Sequence, residues 1–473
     1  MSVMEFIRKF ISVFNYFCMA YTLSLSVIYL IQFIISIIKV KKDKKAEISD
    51  DYRRYEDSEN LLPISLIVPA YNEQENIVHN VKSLMKINYP VFEIIVINDG
   101  SSDNTHKEMI DAFNLKQIEA SIKVEIQTQD IQGVYYSSDY PNLIYLDKLN
   151  GGKSDALNAG INASSYPLFA CLDADSRIEK DALLKLSQLF LKDSSTVVAG
   201  GFVRIANGSV IEDGEWREFN IPKKMVERFQ IVEYFRSFLY GRVSWGRSLL
   251  IVSGAFGLFR KDAVIKVGGY KTDTVGEDME IVVRLHHQLS KEKKKRKGKK
   301  YTIAFCHEAV CWTQGPMSFK DLKNQRRRWQ VGLFDTLLNH FSMTFNPRYG
   351  AVGLISIPYN WIYELFGAVI EILGYFIIPF SLIMGELNIF FFVIYLLLTV
   401  SIGSVFSIGG VILEQYTRKG CMTPKQAMTL ACYALIEGFG YRQLVVLSRV
   451  QGILRFRKLK NQWGSIKRKS FNE

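Results

Sequence analysis

Cysteine is scarce in this 473-residue chain, and the six that occur show no paired metal-ligand spacing. The nearest two, Cys306 and Cys311, are separated by four residues and no second pair accompanies them. A disulfide scaffold and a zinc-finger protein are thereby excluded, and the thiols are read as reduced. Disorder is excluded too, because 48% of the residues are hydrophobic. Charge is absent altogether from Phe10 to Ile38, a run of 29 residues. No small-residue cleavage site follows that run, so it reads as an anchor, not a signal peptide. At about 150 residues per domain, the length alone suggests roughly three domains.

The formal charge of +12 is concentrated in three places. Lys39 to Lys45 holds five lysines against one aspartate, Ser290 to Lys300 holds eight basic residues against Glu292, and Arg455 to Lys469 holds seven unopposed. Everything outside these clusters sums to −6. Such patches can mark nucleic acid, anionic lipid or a solvated loop. The apolar runs beside two of them favour lipid, so no nucleic acid partner is expected, and the cluster at 290–300 reads as a solvated or lipid-facing loop. At about 1.5 Å per residue, the first apolar run exceeds the roughly 30 Å core of a bilayer. Leu387 to Leu413 is also uncharged, and Tyr349 to Gly385 is apolar apart from Glu364 and Glu371. Basic residues beside the runs predict their orientation. Lys39–Lys45 outnumber Arg8 and Lys9, and Arg418, Lys419 and the basic tail follow the later runs. This places both exits in the cytoplasm, with Gly385–Leu387 as an external turn. Residues 1–45 are thus expected to form an anchor and 349–415 two further spans. Residues 425–473 are expected to form an interfacial or fourth membrane helix with a basic cytosolic tail, Arg442 and Arg449 lying on one face seven residues apart. Glu364 and Glu371 share that interval. They are expected either to line a polar path or pack on the soluble domain, or to lie shallowly in water.

Residues 60–340 form one polar-to-mixed block. PISLIVPAYNE, EIIVINDGSSDNT, LIYLDK and PLFACLDADS are strands that end in polar turns, alternating with helix-like ENIVHNVKSLM and KSDALNAGI. That alternation predicts a parallel sheet. Ligands in such sheets gather at the carboxyl ends of the strands, so the turns carrying Tyr71, Asp99, Lys153 and Asp175 should share one crevice. Asp173 and Asp175, two apart at a strand end, suit a divalent Mg²⁺ or Mn²⁺ bridging a diphosphate. Asp99 and Asp103 have a plainer reading as loop caps. Glu277 and Asp278 either cap a helix N-terminus or supply a general base. Gln325 to Trp329 puts an amide, three guanidinia and an indole on a turn and a half of helix, which also suits an amphipathic interfacial helix.

The order VPAYNE, NDGSSD, KSDALN, DAD, SGAFGLFR, GED and QRRRW resembles the processive family-2 glycosyltransferases, which include cellulose, hyaluronan and bacterial poly-N-acetylglucosamine synthases. The resemblance implies an α/β GT-A (Rossmann-like) catalytic domain with transmembrane and interfacial helices, and an inverting transfer from a UDP-sugar to a growing polysaccharide. By similarity, Tyr71 stacks on uracil, Glu73 and Asp99 reach the uridine, and Lys153 and Arg328 lie near the diphosphate. Asp173 touches the nucleotide and Asp175 the metal. Asp278 is implied as the base with Glu277 shaping its loop, while Gln325, Trp329, Gly254 and Phe256 line the acceptor site. The same likeness implies a plasma-membrane protein with a cytoplasmic catalytic domain, using glucose or N-acetylglucosamine as donor sugar. With three or four spans, a polymer channel calls for a second protomer or an accessory subunit. Gly276 departs from the usual TED. No PilZ-like module with an RxxxR switch is read, so direct cyclic-dinucleotide control is not expected. A non-processive glycolipid-forming enzyme is the alternative, and a non-catalytic membrane scaffold is the rival of another class.

Overall fold

In the computed structural model the described residues are 3–49, 61–212, 215–295, 301–418 and 421–460. Residues 296–300 of the lysine run and 461–469 of the basic tail lie outside them.

Twelve strands are present among these residues. Along the chain they are β1 (Ile64–Ala70), β2 (Phe92–Asp99), β3 (Lys116–Ile118), β4 (Ile131–Tyr136), β5 (Leu143–Lys148), β6 (Leu168–Leu172) and β7 (Arg177–Ile178). Then come β8 (Thr196–Ile205), the hairpin β9 (Val210–Glu212) and β10 (Glu215–Glu218), β11 (Phe256–Arg260) and β12 (Thr302–Thr313). All but the hairpin join one sheet in the order β3-β4-β5-β2-β1-β6-β11-β8-β12-β7. The expected parallel sheet is interrupted: β5, β2, β1 and β6 run parallel, as do β8 and β12, whereas β11 between them is antiparallel to both β6 and β8. The sheet is therefore mixed. Helical crossovers, which parallel pairing requires, connect β1 to β2 and β5 to β6; beyond β6 the chain changes direction. Covered on both faces, β1, β2 and β6 read as continuous apolar runs. Helix α1 (Lys153–Ala163) lies so close to this centre that a Cβ on Gly160 would stand 2.4 Å from Ile67.

Among the described residues, three helical stretches are long and apolar enough to cross a membrane: Val3–Lys45, Val352–Ile383 and Phe392–Thr417. They pack with Arg8 paired to Glu386 at one end, 3.3 Å apart, and Lys44 over the Tyr416 ring at the other. Pro424–Ile436 and Tyr441–Leu454 form an elbow bent by 58°. Its outer edge presents Met428, Leu435, Phe439 and Leu447. Its inner edge differs from the interfacial reading of the sequence. Arg442 is paired with Glu371 through two bonds of 2.8 and 3.0 Å, and Arg449 reaches Glu364 at 3.3 Å. The two seven-residue intervals meet each other, because equal spacing on two adjacent helices lets opposite charges pair twice.

Glu414, at the end of the last apolar helix, makes a bidentate pair with Arg204 of β8, both 3% exposed. Three segments are π-helical: Ser237–Arg242, Val352–Ser356 and Asn360–Leu365. Such turns are rare and cluster at functional places.

Candidate active site

The strand ends β1, β2, β5 and β6 stand side by side. After β1, Tyr71 is 53% exposed, its ring open for stacking, while Glu73 is buried and its amide donates to the Thr105 hydroxyl at 2.8 Å. Asn72 adopts φ +56°, and its side-chain oxygen accepts from Ser102 N at 2.8 Å, tying the YNE turn to the GSSD turn. Asp103 accepts from the Thr105 amide at 2.9 Å and the Gln74 amide at 3.2 Å, which is the capping role.

Asp99, expected to reach a uridine, is also drawn into the protein. It is 3% exposed, and its oxygens accept from the Lys148 ammonium at 2.6 Å, the Gly151 amide at 3.0 Å and the Gly152 amide at 2.8 Å. Lys148 itself is fully buried and also meets Asp155 at 2.6 Å. A buried lysine survives only with such partners. Asp99 thus fixes the loop that launches Lys153, with one donor on Oδ2 against two on Oδ1.

Lys153 begins α1 and donates to Asp173 at 2.5 Å, with Glu277 3.5 Å away. Burial lowers its pKa, but the two acids outweigh burial and hold the ammonium well above its usual range. Glu277 is also raised: burial lifts it, Lys153 pulls it down and Asp278 pushes it up again. Gly254 faces this centre. A Cβ there would stand 3.2 Å from Lys153 Nζ, 3.5 Å from Glu277 Oε1 and 3.6 Å from Asp278 Cβ, so glycine keeps the approach open. Phe256 does not join it. On β11 the side chain is wholly buried and lies where a Cβ on Gly201 would meet its ring at 2.2 Å; strand alternation turns it into the sheet's core.

Glu277 and Asp278 open a helix, Glu277–Lys295, after Gly276. Gly276 lies against Gly332 of the QRRRW helix, α2 (Phe319–Asn339); a Cβ on either would stand 2.6–2.7 Å from the other's Cα. This explains the missing threonine of TED. The acidic pair and the acceptor helix are joined backbone to backbone, and only glycine fits.

One cavity of about 580 Å³ takes in Lys153, Asp173, Asp175, Gly254, Glu277 and Asp278. It continues past Gln325, Arg328 and Trp329 of α2, then between the apolar helices to Tyr29, Tyr359, Glu364 and Arg449. Tyr71, Glu73 and Asp99 stand on neighbouring strand ends outside that lining. Trp329 is 42% exposed with the Arg326 guanidinium 4.3 Å from its ring centre. Arg326 bonds Glu233 at 2.9 Å, and Arg449 bonds Gln330 at 2.8 Å. A Cβ on Gly452 would stand 2.9 Å from the Arg327 carbonyl, so the elbow presses on α2 as closely as the chain permits. Polar atoms of Tyr240, Gln325, Gln330 and Ser356, all on cavity-lining residues, have no hydrogen-bond partner among the described residues. Buried polar atoms are normally satisfied, so their clustering marks a place for a polar ligand. Among the described residues no group of three or more His, Cys, Asp or Glu forms a metal cage. Asp173 and Asp175 instead present two carboxylates beside Lys153, a donor set suited to a hard cation sharing its shell with phosphate and water.

Arg242, Gln330 and Arg449 escaped the sequence reading as cavity residues. Arg449 was in view for its interval, but nothing local says that it turns inward.

The chain matches the model for glycosyl transferase family 2 over residues 65–268 and that for glycosyl transferase family group 2 over residues 168–406, half its length. It is 30% identical over 315 residues to the poly-beta-1,6-N-acetyl-D-glucosamine synthase of Staphylococcus aureus (strain COL), covering 66% of this chain and 62% of that protein. The Staphylococcus epidermidis synthase of the same name is 30% identical over 289 residues, 60% of this chain and 58% of that one. The chain therefore spans less than two thirds of these relatives' length. Among solved structures, the mannosyltransferase PcManGT of Pyrobaculum calidifontis aligns with a TM-score of 0.49 at 13% identity, covering 90% of this chain and 99% of that one. With the DAD turn, the GED pair and the QRRRW helix gathered on a GT-A-like mixed sheet, and half the chain matched, this protein belongs to glycosyltransferase family 2.

Proposed function

We propose that the protein is an inverting, processive polysaccharide synthase that extends a β-linked chain from a UDP-sugar at the cytoplasmic face of a membrane. The observation that carries this is the single cavity running from Lys153 and the DAD turn, past Asp278 and Trp329, to residues of the apolar helices. The extension toward the membrane gives a growing chain a path away from the reacting centre. The relatives' printed name makes N-acetylglucosamine the first sugar to test and glucose the second.

In this reading Tyr71 stacks on the uracil, Glu73 steadies its turn, and Lys153 with Arg328 neutralises the diphosphate. Asp173 and Asp175 hold Mg²⁺ or Mn²⁺, which when bound supplies Lewis-acid stabilisation of the leaving UDP. Asp278 takes the proton from the acceptor hydroxyl as that oxygen bonds to the anomeric carbon and the bond to UDP breaks. Attack from the side opposite UDP inverts the centre. Glu277 and Gly254 shape the space beside Asp278, Trp329 stacks on the terminal sugar, and Gln325 hydrogen-bonds it. The anchor at 1–45, the catalytic block at 60–340, the spans at 349–415 and the elbow and tail at 425–473 divide the work. A second protomer or an accessory subunit completes an exit path. Membranes carrying the protein, incubated with UDP-N-acetylglucosamine or UDP-glucose, should release UDP and make a long product that one linkage-specific hydrolase degrades. A single-sugar glycolipid product would instead establish the glycolipid enzyme.

A further inference from the structure

Three cavity arginines have acidic partners: Arg236 with Glu437, Arg326 with Glu233, and Arg449 with Glu364. Arg242 does not share this arrangement. Its Nη1 is buried and has no hydrogen-bond partner among the described residues, and no ion pair with a carboxylate joins it there. It ends the π-helical turn Ser237–Arg242 and lines the cavity together with Asp278.

The guanidinium is nevertheless held in place. It lies 3.6 Å from the centre of the Phe238 ring, Phe238 stacks on Phe202 at 5.0 Å, and Phe202 is wholly buried on β8. A cation stacked on an aromatic column rooted in the sheet has lost its rotamer freedom in advance, so binding through it costs little ordering. Burying a guanidinium with an unfilled donor is unfavourable, and such groups persist where a ligand completes them. Burial lowers its pKa to about 10, with Asp278 opposing, so the charge is retained at neutral pH.

The geometry points to Arg242 as an acceptor-positioning residue, donating from Nη1 to an oxygen of the terminal acceptor sugar. The acceptor is chosen over the diphosphate because Arg242 shares its cavity wall with Asp278, the proposed base and the carboxylate that acts on it, whereas Lys153 and Asp173 pair with each other on the donor side. The inference rests on the synthase reading, and its test separates the two.

Wild type, Arg242→Met and Arg242→Lys would be compared in detergent micelles or nanodiscs. The measurements are UDP affinity by calorimetry and UDP release against added oligosaccharide. For Arg242→Met we expect kcat/KM for the acceptor to fall by about tenfold to a hundredfold, the cost of a charged hydrogen bond, with UDP affinity unchanged. Lysine should restore part of the acceptor term. Weakened UDP affinity would assign Arg242 to the diphosphate and overturn the inference; so would unchanged acceptor kinetics, or a loss that lysine does not relieve. If wild type turns over neither UDP-sugar, the synthase reading fails first.

Discussion

The two ends of the cavity are built differently. At the donor end, each residue stands at the end of a strand or within five positions beyond it, and one aspartate holds Lys148, Gly151 and Gly152 just ahead of Lys153. At the acceptor end, Arg242, Trp329, Glu364 and Arg449 come from four separate stretches. They meet through π-turns, a Gly–Gly contact and an elbow helix. The first design is local and survives transfer between proteins. The second depends on how distant helices seat, and that is where substrate identity can change without disturbing nucleotide chemistry.

Substitutions can break this contrast. Asp278→Asn, at the boundary between the ends, should lower transfer by about 10²–10⁴-fold, as loss of a general base does, with UDP still bound; radiolabelled sugar incorporation would measure it. A smaller effect is expected at Trp329. Trp329→Ala removes the proposed stacking platform, so acceptor KM should rise by about tenfold and product length on gels should shorten, with donor KM unmoved. If donor KM rose in step, the division between the ends would be wrong. Gly332→Ala tests the seam between them. A methyl 2.7 Å from the Gly276 Cα must force the helix away, at a cost of about 1–3 kcal/mol, read as a lower unfolding temperature and a matching loss of activity.

The smallest expected effect concerns pH. Burial holds the Glu277 carboxyl above its ordinary range, so the folded protein keeps a proton that the unfolded chain has released. That contribution is fully present below the ordinary glutamate pKa and is lost as pH climbs through the raised value. Glu277→Gln should flatten this segment of the curve of unfolding temperature against pH.

Much of the donor end was legible in the sequence because strand, turn and helix follow each other there and each turn carries its own chemistry. The structural part of Asp99 was not legible, since an acidic turn looks alike whether or not its carboxylate also holds a buried lysine; the lysine of LIYLDK was the available sign. Phe256 misled because SGAFGLFR gives no phase, and the phase of a strand decides which side chains reach the cavity. The mixed sheet was hidden in β11, whose direction is set by long-range pairing. At the acceptor end QRRRW was plain, but Arg242 sits in a stretch whose π-turn no periodicity announces. The equal intervals of Glu364–Glu371 and Arg442–Arg449 were visible separately; that each answers the other is a tertiary fact.

Those paired intervals also fix an order of events during synthesis. The arginines follow their glutamates by 71 and 85 residues. At about 5–20 residues per second, the apolar helix carrying both acids leaves the ribosome several seconds before its partners exist. Acids within an apolar helix are expensive in a bilayer. Within a bilayer, the nascent segment would hold both acids unanswered until the elbow arrives. A chain cut short before Arg442 would carry two unanswered acids in its second apolar helix, a mark by which membrane proteases could tell an unfinished copy from a finished one.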